Sequence, residues 1–443
     1  MMGAASVADD AVSQSAMRKA SWRIIPLLGL GYLFSSLDRL NISFAAAQMN
    51  LDLGFSATVY GFGAGFFFLT YALLEVPSGM VMPRVGARRW IARIMISWGL
   101  ISAAMMFIKT PWQFYALRLL LGATEAGFWP TAIYVVSSWF PGAHRGRAVS
   151  RFYGFGGVAS IVMGAVSGWL LALDGTAGLR GWQWLFLVEG LPTIFVGLAV
   201  LKFLPDDPRT ADWLTREEKG WLVGELDSGD VRHGATSGHH VLRSLRDPLV
   251  LQLAVISTLA IGSYVGFSLI VPQLLRSTTG FSVQNVGYLV SLAGALAVIG
   301  MLSSGWHSDR QGQRWTHLIG SLILVTASFA LIAVAKTPVM MITGFLALAV
   351  VWPAVTLSMC LVLTEIVAVR MVAVAMAAVN TLSQLGAFAV PSLWGISKDA
   401  TGSYALGLTL VPVAFAVATV LAIILRRQVQ GKDMAAVGAV AVA

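Results

Sequence analysis

The sequence predicts an all-α membrane protein: twelve transmembrane helices in two six-helix bundles. Three observations lead there. Of 443 residues, 57% are hydrophobic and only 12% charged, with a mean hydropathy of +0.76, whereas soluble domains carry about 25% charged residues. Apolar runs of about 20 residues, enough to cross a hydrocarbon core about 30 Å thick, recur twelve times. The one long polar stretch falls between the sixth and the seventh. This composition argues against soluble enzymes, nucleic-acid binders and disordered scaffolds. The net charge of +9 is scattered over short loops rather than gathered on one face, so no nucleic-acid partner is expected. The single cysteine, Cys360, leaves no internal disulfide framework and no cysteine-only metal site.

The elements follow in order. Residues 1–22 form a polar, Ala/Ser-rich tail, and the run after it is long enough to span rather than be cleaved as a signal. The N-terminal bundle, 23–204, holds span 1 at 24–44, span 2 at 58–80, span 3 at 90–108, span 4 at 112–135, span 5 at 147–172 and span 6 at 183–204. A linker at 205–247 carries nine of the 21 acidic residues, from Asp206 to Asp247. The C-terminal bundle, 248–426, holds spans at 249–272, 285–305, 315–335, 338–364, 371–394 and 403–425, and a tail at 427–443 ends the chain. Glycines let these helices approach closely, Gly61, Gly63 and Gly65 in span 2 and Gly164-x-x-x-Gly168 in span 5 among them.

Orientation follows from arginine and lysine in the short loops. Arg84, Arg88, Arg89 and Arg93 follow span 2, Arg145, Arg147 and Arg151 follow span 4, and Arg310 and Arg314 follow span 8, with Arg426, Arg427 and Lys432 in the tail. Odd-numbered loops carry one basic residue at most. Both termini and the linker are therefore expected in the cytoplasm. The halves also share a trace of sequence. Gly79, Arg84, Gly86 and Arg88 fit G-x4-R-x-G-x-R, and Gly305, Arg310, Gly312 and Arg314 repeat it after the second span of the other half. A same-orientation duplication of six spans is expected, with a site at the midplane between the halves.

The informative residues are ionisable groups inside apolar spans. Each costs roughly 2.5–3.5 kcal/mol at a helix centre on insertion scales, so such groups are paired or line a wet cavity. Span 1 carries Asp38 and Arg39, and span 4 carries Arg118 and Glu125. At helical rise Arg39 lies about 22 Å from the cytoplasmic end and Arg118 about 9 Å from the outer end, nearly the same level. Glu125 is seven residues on from Arg118, on the same face and about 10 Å deeper. Tyr71 of span 2 falls near the level of Glu125. These groups are expected to face one cavity; the alternative, that Asp38–Arg118 and Glu125 with an arginine are static ion pairs joining helices, is costly as mere glue. Arginine holds a carboxylate through two parallel hydrogen bonds and stays charged. A substrate carboxylate that takes over the arginine leaves the protein's own acid free to bind a proton, and linkage makes the effect mutual. Glu75 is expected to pair with loop arginines, Glu189 to be structural, and Glu365 to pair with Arg370.

The C-terminal half has no comparable charge. Its candidate substrate contacts are Tyr264, Trp352, Asn380 and Gln384, the last two being four apart and so on one face. No Gly-x4-Gly-Lys-Ser/Thr, His-Glu-x-x-His or Gly-x-Ser-x-Gly motif occurs, so ATP-driven transport and enzyme chemistry lack support and no metal or cofactor is expected. The six histidines, His144, His233, His239, His240, His307 and His317, lie mostly in loops and are expected to be solvated.

Several stretches together resemble the anion:cation symporter family of the major facilitator superfamily: Asp38-Arg39-Leu-Asn41, Glu75-Val-Pro77-Ser78, Arg84-Val-Gly86-Ala-Arg88-Arg89-Trp90, Arg118-x6-Glu125-Ala-Gly127-Phe128, Gly181-Trp182-Gln183-Trp184 through Glu189-Gly190-Leu-Pro192, and the linker's Asp207-Pro208-x4-Trp213. The resemblance covers nearly the whole chain and is nearest to tartrate-type permeases, beside those for galactonate, glucarate, phthalate and hydroxyphenylacetate. It implies the major facilitator fold and proton-coupled uptake of organic anions across a bacterial inner membrane. It further implies that Arg39 holds the substrate carboxylate, that Glu125 carries the coupling proton assisted by Asp38 with Arg118, and that Tyr71 lines the site. Departures fall in the pocket: Gly79 stands where many members have Asn, Ser383-Gln384-Leu385-Gly386-Ala387 replaces Gly-Asn-Leu-Gly-Gly, Ile270 replaces an aromatic, and Trp129 a Phe.

The expected protein is thus a monomeric proton symporter in a lipid bilayer, importing a tartrate-like hydroxy-dicarboxylate, sugar acid or aromatic carboxylate by alternating access. The alternatives are an exchanger or exporter of organic anions and a neutral-solute transporter of the same fold. A neutral-solute carrier leaves two midmembrane arginines unexplained.

Overall fold

The computed structural model describes residues 2–228, 246–311, 313–367 and 371–442. The N-terminal bundle consists of α1 (Met2–Leu53), α2 (Ala57–Val85), α3 (Ala87–Ala104), α4 (Pro111–Glu125), α5 (Phe128–Trp139), α6 (Gly142–Leu171) and α7 (Gly181–Phe203). A short linker helix, α8 (Arg216–Ser228), follows. The C-terminal bundle consists of α9 (Pro248–Thr279), α10 (Val283–Gln311), α11 (Arg314–Ala333), α12 (Pro338–Ile366), α13 (Val372–Thr401) and α14 (Ala405–Val442). His233, His239 and His240, Gly312 of the repeated loop pattern, and Arg370 lie outside the described residues.

Among the described residues, eleven helical segments are long and apolar enough to cross a membrane, α4 and α5 together forming one of them. The expected first span lies in α1, which falls short of that apolar measure. Asp38, Arg39 and Asn41 in its middle account for this, and α1 nonetheless packs among the others against α6 and α7. Two features differ from the sequence-based expectation. Helix continues through both tails, into α1 and α14. The fourth span is broken: α4 ends at Glu125, and Gly127 takes φ +92°, ψ −4° before α5 begins. Glycine alone enters that conformation without strain, and a Cβ there would run into the Ser78 side chain. The break is sealed by Ser78, whose hydroxyl donates to the Ala126 carbonyl at 2.8 Å and accepts the Trp90 indole N–H at 3.1 Å.

Chain ends and turns are set by local chemistry. Lys109-Thr110-Pro111 opens α4 and Lys336-Thr337-Pro338 opens α12, each with the threonine hydroxyl accepting a first-turn N–H and proline in the first turn. Those are corresponding positions in the two halves, a second trace of the duplication. The contacts between bundles have the same symmetry: α2 packs on α13 and α6 on α10, pairs that exchange when the halves are swapped.

These contacts concentrate away from the face that carries the termini. There Gly61 and Gly395 press α2 and α13 together, and Gly164 and Gly287 bring the α6 and α10 backbones into contact. Tyr60 donates to the Leu269 carbonyl at 2.8 Å, and Ser291 to the Ile161 carbonyl at 2.7 Å. The Asp399 carboxylate at the end of α13 accepts the Ala57 and Thr58 N–H groups at 3.0 and 2.8 Å, the positive end of α2. Toward the terminal face Gly79, Gly142, Gly146 and Gly154 have open space beside them. The close backbone contacts between the bundles thus gather on the side away from the termini.

Candidate functional site

Successive residues on a helix point about 100° apart, and this separates the two charges of span 1. Arg39 turns toward α2 and α4, and Asp38 toward α3 and α7. Ser35, one turn before Arg39, shares its face. The Glu125 carboxylate ends α4 and is fully buried. Its Oε1 accepts the Arg39 Nε and Nη2 groups at 3.1 and 2.8 Å and the Ser35 hydroxyl at 2.7 Å. Its Oε2 has no hydrogen-bond partner among the described residues. The Arg39 side chain keeps 33% of its surface exposed while its partner keeps none. One end of this pair can therefore be reached from outside the bundle.

Aromatic rings hold the guanidinium groups in place. Arg39 lies 4.9 Å from the Tyr71 ring centre and 5.5 Å from that of Phe67, and Arg118 lies 5.0 Å from Phe67 on its own side. Phe67 is thus shared between two cations, each attracted to the ring's electron density. A static Asp38–Arg118 pair, the alternative to a shared cavity, does not form. Arg118, 1% exposed, donates to the backbone carbonyls of Gly63 and Ala64 at 3.2 Å each. Asp38 instead accepts from the Ser102 hydroxyl of α3 and, at 3.4 Å, from the Asn41 amide. The same amide donates to Glu189 of α7 at 2.6 Å. Glu189 therefore belongs to a buried relay, Ser102–Asp38–Asn41–Glu189, that ties three helices together. Asp38 Oδ2 and Asn41 Oδ1 within it are buried with no partner among the described residues.

The C-terminal candidates divide into two groups. Tyr264 of α9 and Trp352 of α12 stack face to face, centroids 3.9 Å apart and planes 4° from parallel. Asn380 and Gln384 do share a face of α13, where the Gln384 amide reaches the Asn380 carbonyl oxygen at 3.4 Å. Asn380 in turn donates to Glu75 of α2 at 2.8 Å, a hydrogen bond between the bundles. Glu75 thus faces its opposite bundle, where loop arginines were expected. Glu365 lies 3.6 Å from Arg314.

Arg39, Glu125, Tyr71 and Arg118 are therefore brought together around Phe67, while Asp38 is adjacent but turned away. Sequence reasoning missed Ser35, Phe67, Asn41's bridging role and Ser102. Ser35 and Asn41 carried a signal, lying one turn from Arg39 and Asp38. Phe67 and Ser102 are ordinary residues of apolar helices and carried none. No group of His, Cys, Asp and Glu able to hold a metal ion occurs among the described residues.

Comparisons with known proteins agree on the class. The profile of the Major Facilitator Superfamily matches residues 28–391. A protein of Agrobacterium vitis, named provisionally as a tartrate transporter, is 38% identical over 93% of this chain and 91% of its own. The quinolone resistance transporter of Acinetobacter baumannii is 34% identical over 88% of this chain and 90% of its own. Among solved structures, a bacterial homolog of the human lysosomal transporter Spinster superposes with a TM-score of 0.76 at 16% identity, covering 93% of this chain and 98% of that one.

Proposed function

The chain belongs to the major facilitator superfamily of membrane transporters, and from that premise we propose that it is a proton-coupled symporter of small organic anions. The Arg39–Glu125 pair carries this reading. A guanidinium inside a bilayer-spanning bundle is costly unless its charge is used. Here its counter-ion is a buried acid joined through one oxygen only, and its own side chain is partly open. A substrate carboxylate competing for the Arg39 fork displaces Glu125 Oε1. Glu125 then stands buried without its cation and takes up a proton, so substrate and proton bind together and leave together. Tyr71 and Phe67 fix the fork's plane. Arg118, anchored on α2 carbonyls, supplies a second positive field without being spent on an ion pair.

The cargo follows from the same chemistry. Two guanidinium groups at one level suit a mono- or dicarboxylate, and the Tyr264–Trp352 stack of the C-terminal bundle is the proposed apolar wall with a hydroxyl. The Agrobacterium vitis relative's name points to a hydroxy-dicarboxylate of the tartrate kind. The arginine-rich loops support cytoplasmic termini, and the proposed setting is an inner membrane, with a monomer as the working unit. The Acinetobacter baumannii relative favours a second reading, outward movement of organic anions by the same pair run in reverse.

The test is Arg39→Lys. A lysine supplies charge but not two parallel donors, so tartrate and related carboxylates should no longer shift the melting temperature of the purified protein. Binding at wild-type strength in that variant would overturn the assignment. Uptake into proteoliposomes under imposed gradients of either direction separates import from export.

A further inference from the structure

On the terminal face, α1 and α6 enclose a cavity of about 270 Å³ that the transport site does not use. Arg18 of α1 and Arg147 and Arg151 of α6 line it, with His144 beside them. The spacing makes this a built feature. His144, Arg147 and Arg151 stand three and four residues apart on one face of α6, and Arg18 and Trp22 stand four apart on the facing side of α1. No acidic residue lines the cavity, and none of the three arginines makes an ion pair among the described residues. The nearby carboxylate of Glu218 is already taken by Lys19 and Ser15. Three guanidinium groups around one void repel each other until an anion joins them.

The depth of the cavity says which anion. Trp22 lines it and is 77% exposed, immediately before the apolar run that opens at Ile24. Tryptophan and arginine at the start of a membrane span mark the headgroup level, where the phosphates of anionic lipids lie. Met17 and Phe140 give the cavity an apolar floor. We propose that this cavity binds a phosphate group, supplied by the headgroup of an anionic phospholipid, and that the bound lipid ties α1 to α6. Guanidinium forks suit phosphate oxygens as they suit carboxylates. The proposal does not depend on the identity of the transported anion.

Native mass spectrometry of delipidated protein tests it, with phosphatidylglycerol, phosphatidylcholine and inorganic phosphate added in separate titrations. One phosphatidylglycerol should be retained at least tenfold more tightly than phosphatidylcholine. That preference should vanish in Arg147→Gln/Arg151→Gln and persist in Arg89→Gln, whose arginine lies outside the cavity. Thermal unfolding of each variant without lipid shows whether it is folded, and Arg147→Lys/Arg151→Lys should recover part of the preference. Stabilisation by inorganic phosphate as strong as by phosphatidylglycerol would assign the cavity to a soluble anion and overturn the lipid source. Equal retention of both lipids with no phosphate response, or a preference that survives the double glutamine substitution, would overturn the site.

Discussion

At the scale of single residues, what matters is which atom faces which. Glu125 offers one oxygen to three donors and leaves the other free. That asymmetry suits the proton-carrying role proposed for it. Glu125→Gln keeps an acceptor for Ser35 and Arg39 but cannot take up a proton. The expected outcome in proteoliposomes is loss of accumulation driven by a proton gradient, with exchange of labelled for unlabelled substrate retained. Accumulation that persists would place the proton on another group. The presence of buried charge at this level was legible in the sequence, because an Asp-Arg pair and an Arg-x6-Glu pair interrupt apolar runs. The pairing was not. Depth and helical face allowed Asp38 to meet Arg118, but the Gly63 and Ala64 carbonyls were closer to hand, and backbone acceptors leave no mark in a sequence.

At the scale of elements, length and composition placed the spans, since twenty apolar residues have few other uses. The broken fourth span was less visible. Its signal was present in Gly127 followed by Pro130, a residue that ends helices and one that begins them, but it sat inside an otherwise continuous apolar stretch. The linker helix α8 is fastened by Thr215 and Glu218, whose side chains reciprocally cap its first turn at 3.2 and 2.8 Å. Burial pushes the Glu218 carboxyl upward. Hydrogen bonds from Lys19, the Thr215 backbone and Ser15 outweigh this and hold it down at about 2. Because its proton affinity is lowered in the folded state, Glu218 contributes fully above the ordinary value of 4.5 and loses its contribution as pH falls toward about 2. Amide protection in α8, observed exchange divided by the intrinsic rate at each pH, should fall across that window, and Glu218→Gln should be weakly protected throughout with no step in it. Helix contact is equally specific. A valine at Gly164 would force the α6 and α10 backbones apart at Gly287 and Ser291. A single cysteine at Ser291, in a chain where Cys360→Ser removes the native thiol, should then react several-fold faster with a water-soluble reagent. An unchanged rate would mean that this seam does not close the pathway.

At the scale of the whole molecule, the close backbone contacts between the two bundles gather on one face, a distribution that fits an alternating-access carrier closed on that side. Asp399 against the start of α2 belongs to the closed side. Removing a carboxylate from a helix N-terminus costs about 0.3–1 kcal/mol, so Asp399→Asn should shift the balance toward opening there by roughly two- to fivefold. Distances between spin labels at the ends of α2 and α13 report that shift, and an unmoved distribution would remove Asp399 from the gate. The duplication was visible in one loop pattern, and the Lys-Thr-Pro turns and the exchanged helix contacts extend it. The division of labour between the halves has an electrical corollary. A membrane voltage does work only on charge, at about 2.3 kcal/mol per elementary charge per 100 mV. Among the described residues the interior of the C-terminal bundle has none to offer, so any voltage-sensitive step is expected in the half that holds Arg39 and Glu125, or in the cargo itself, with the other half electrically silent.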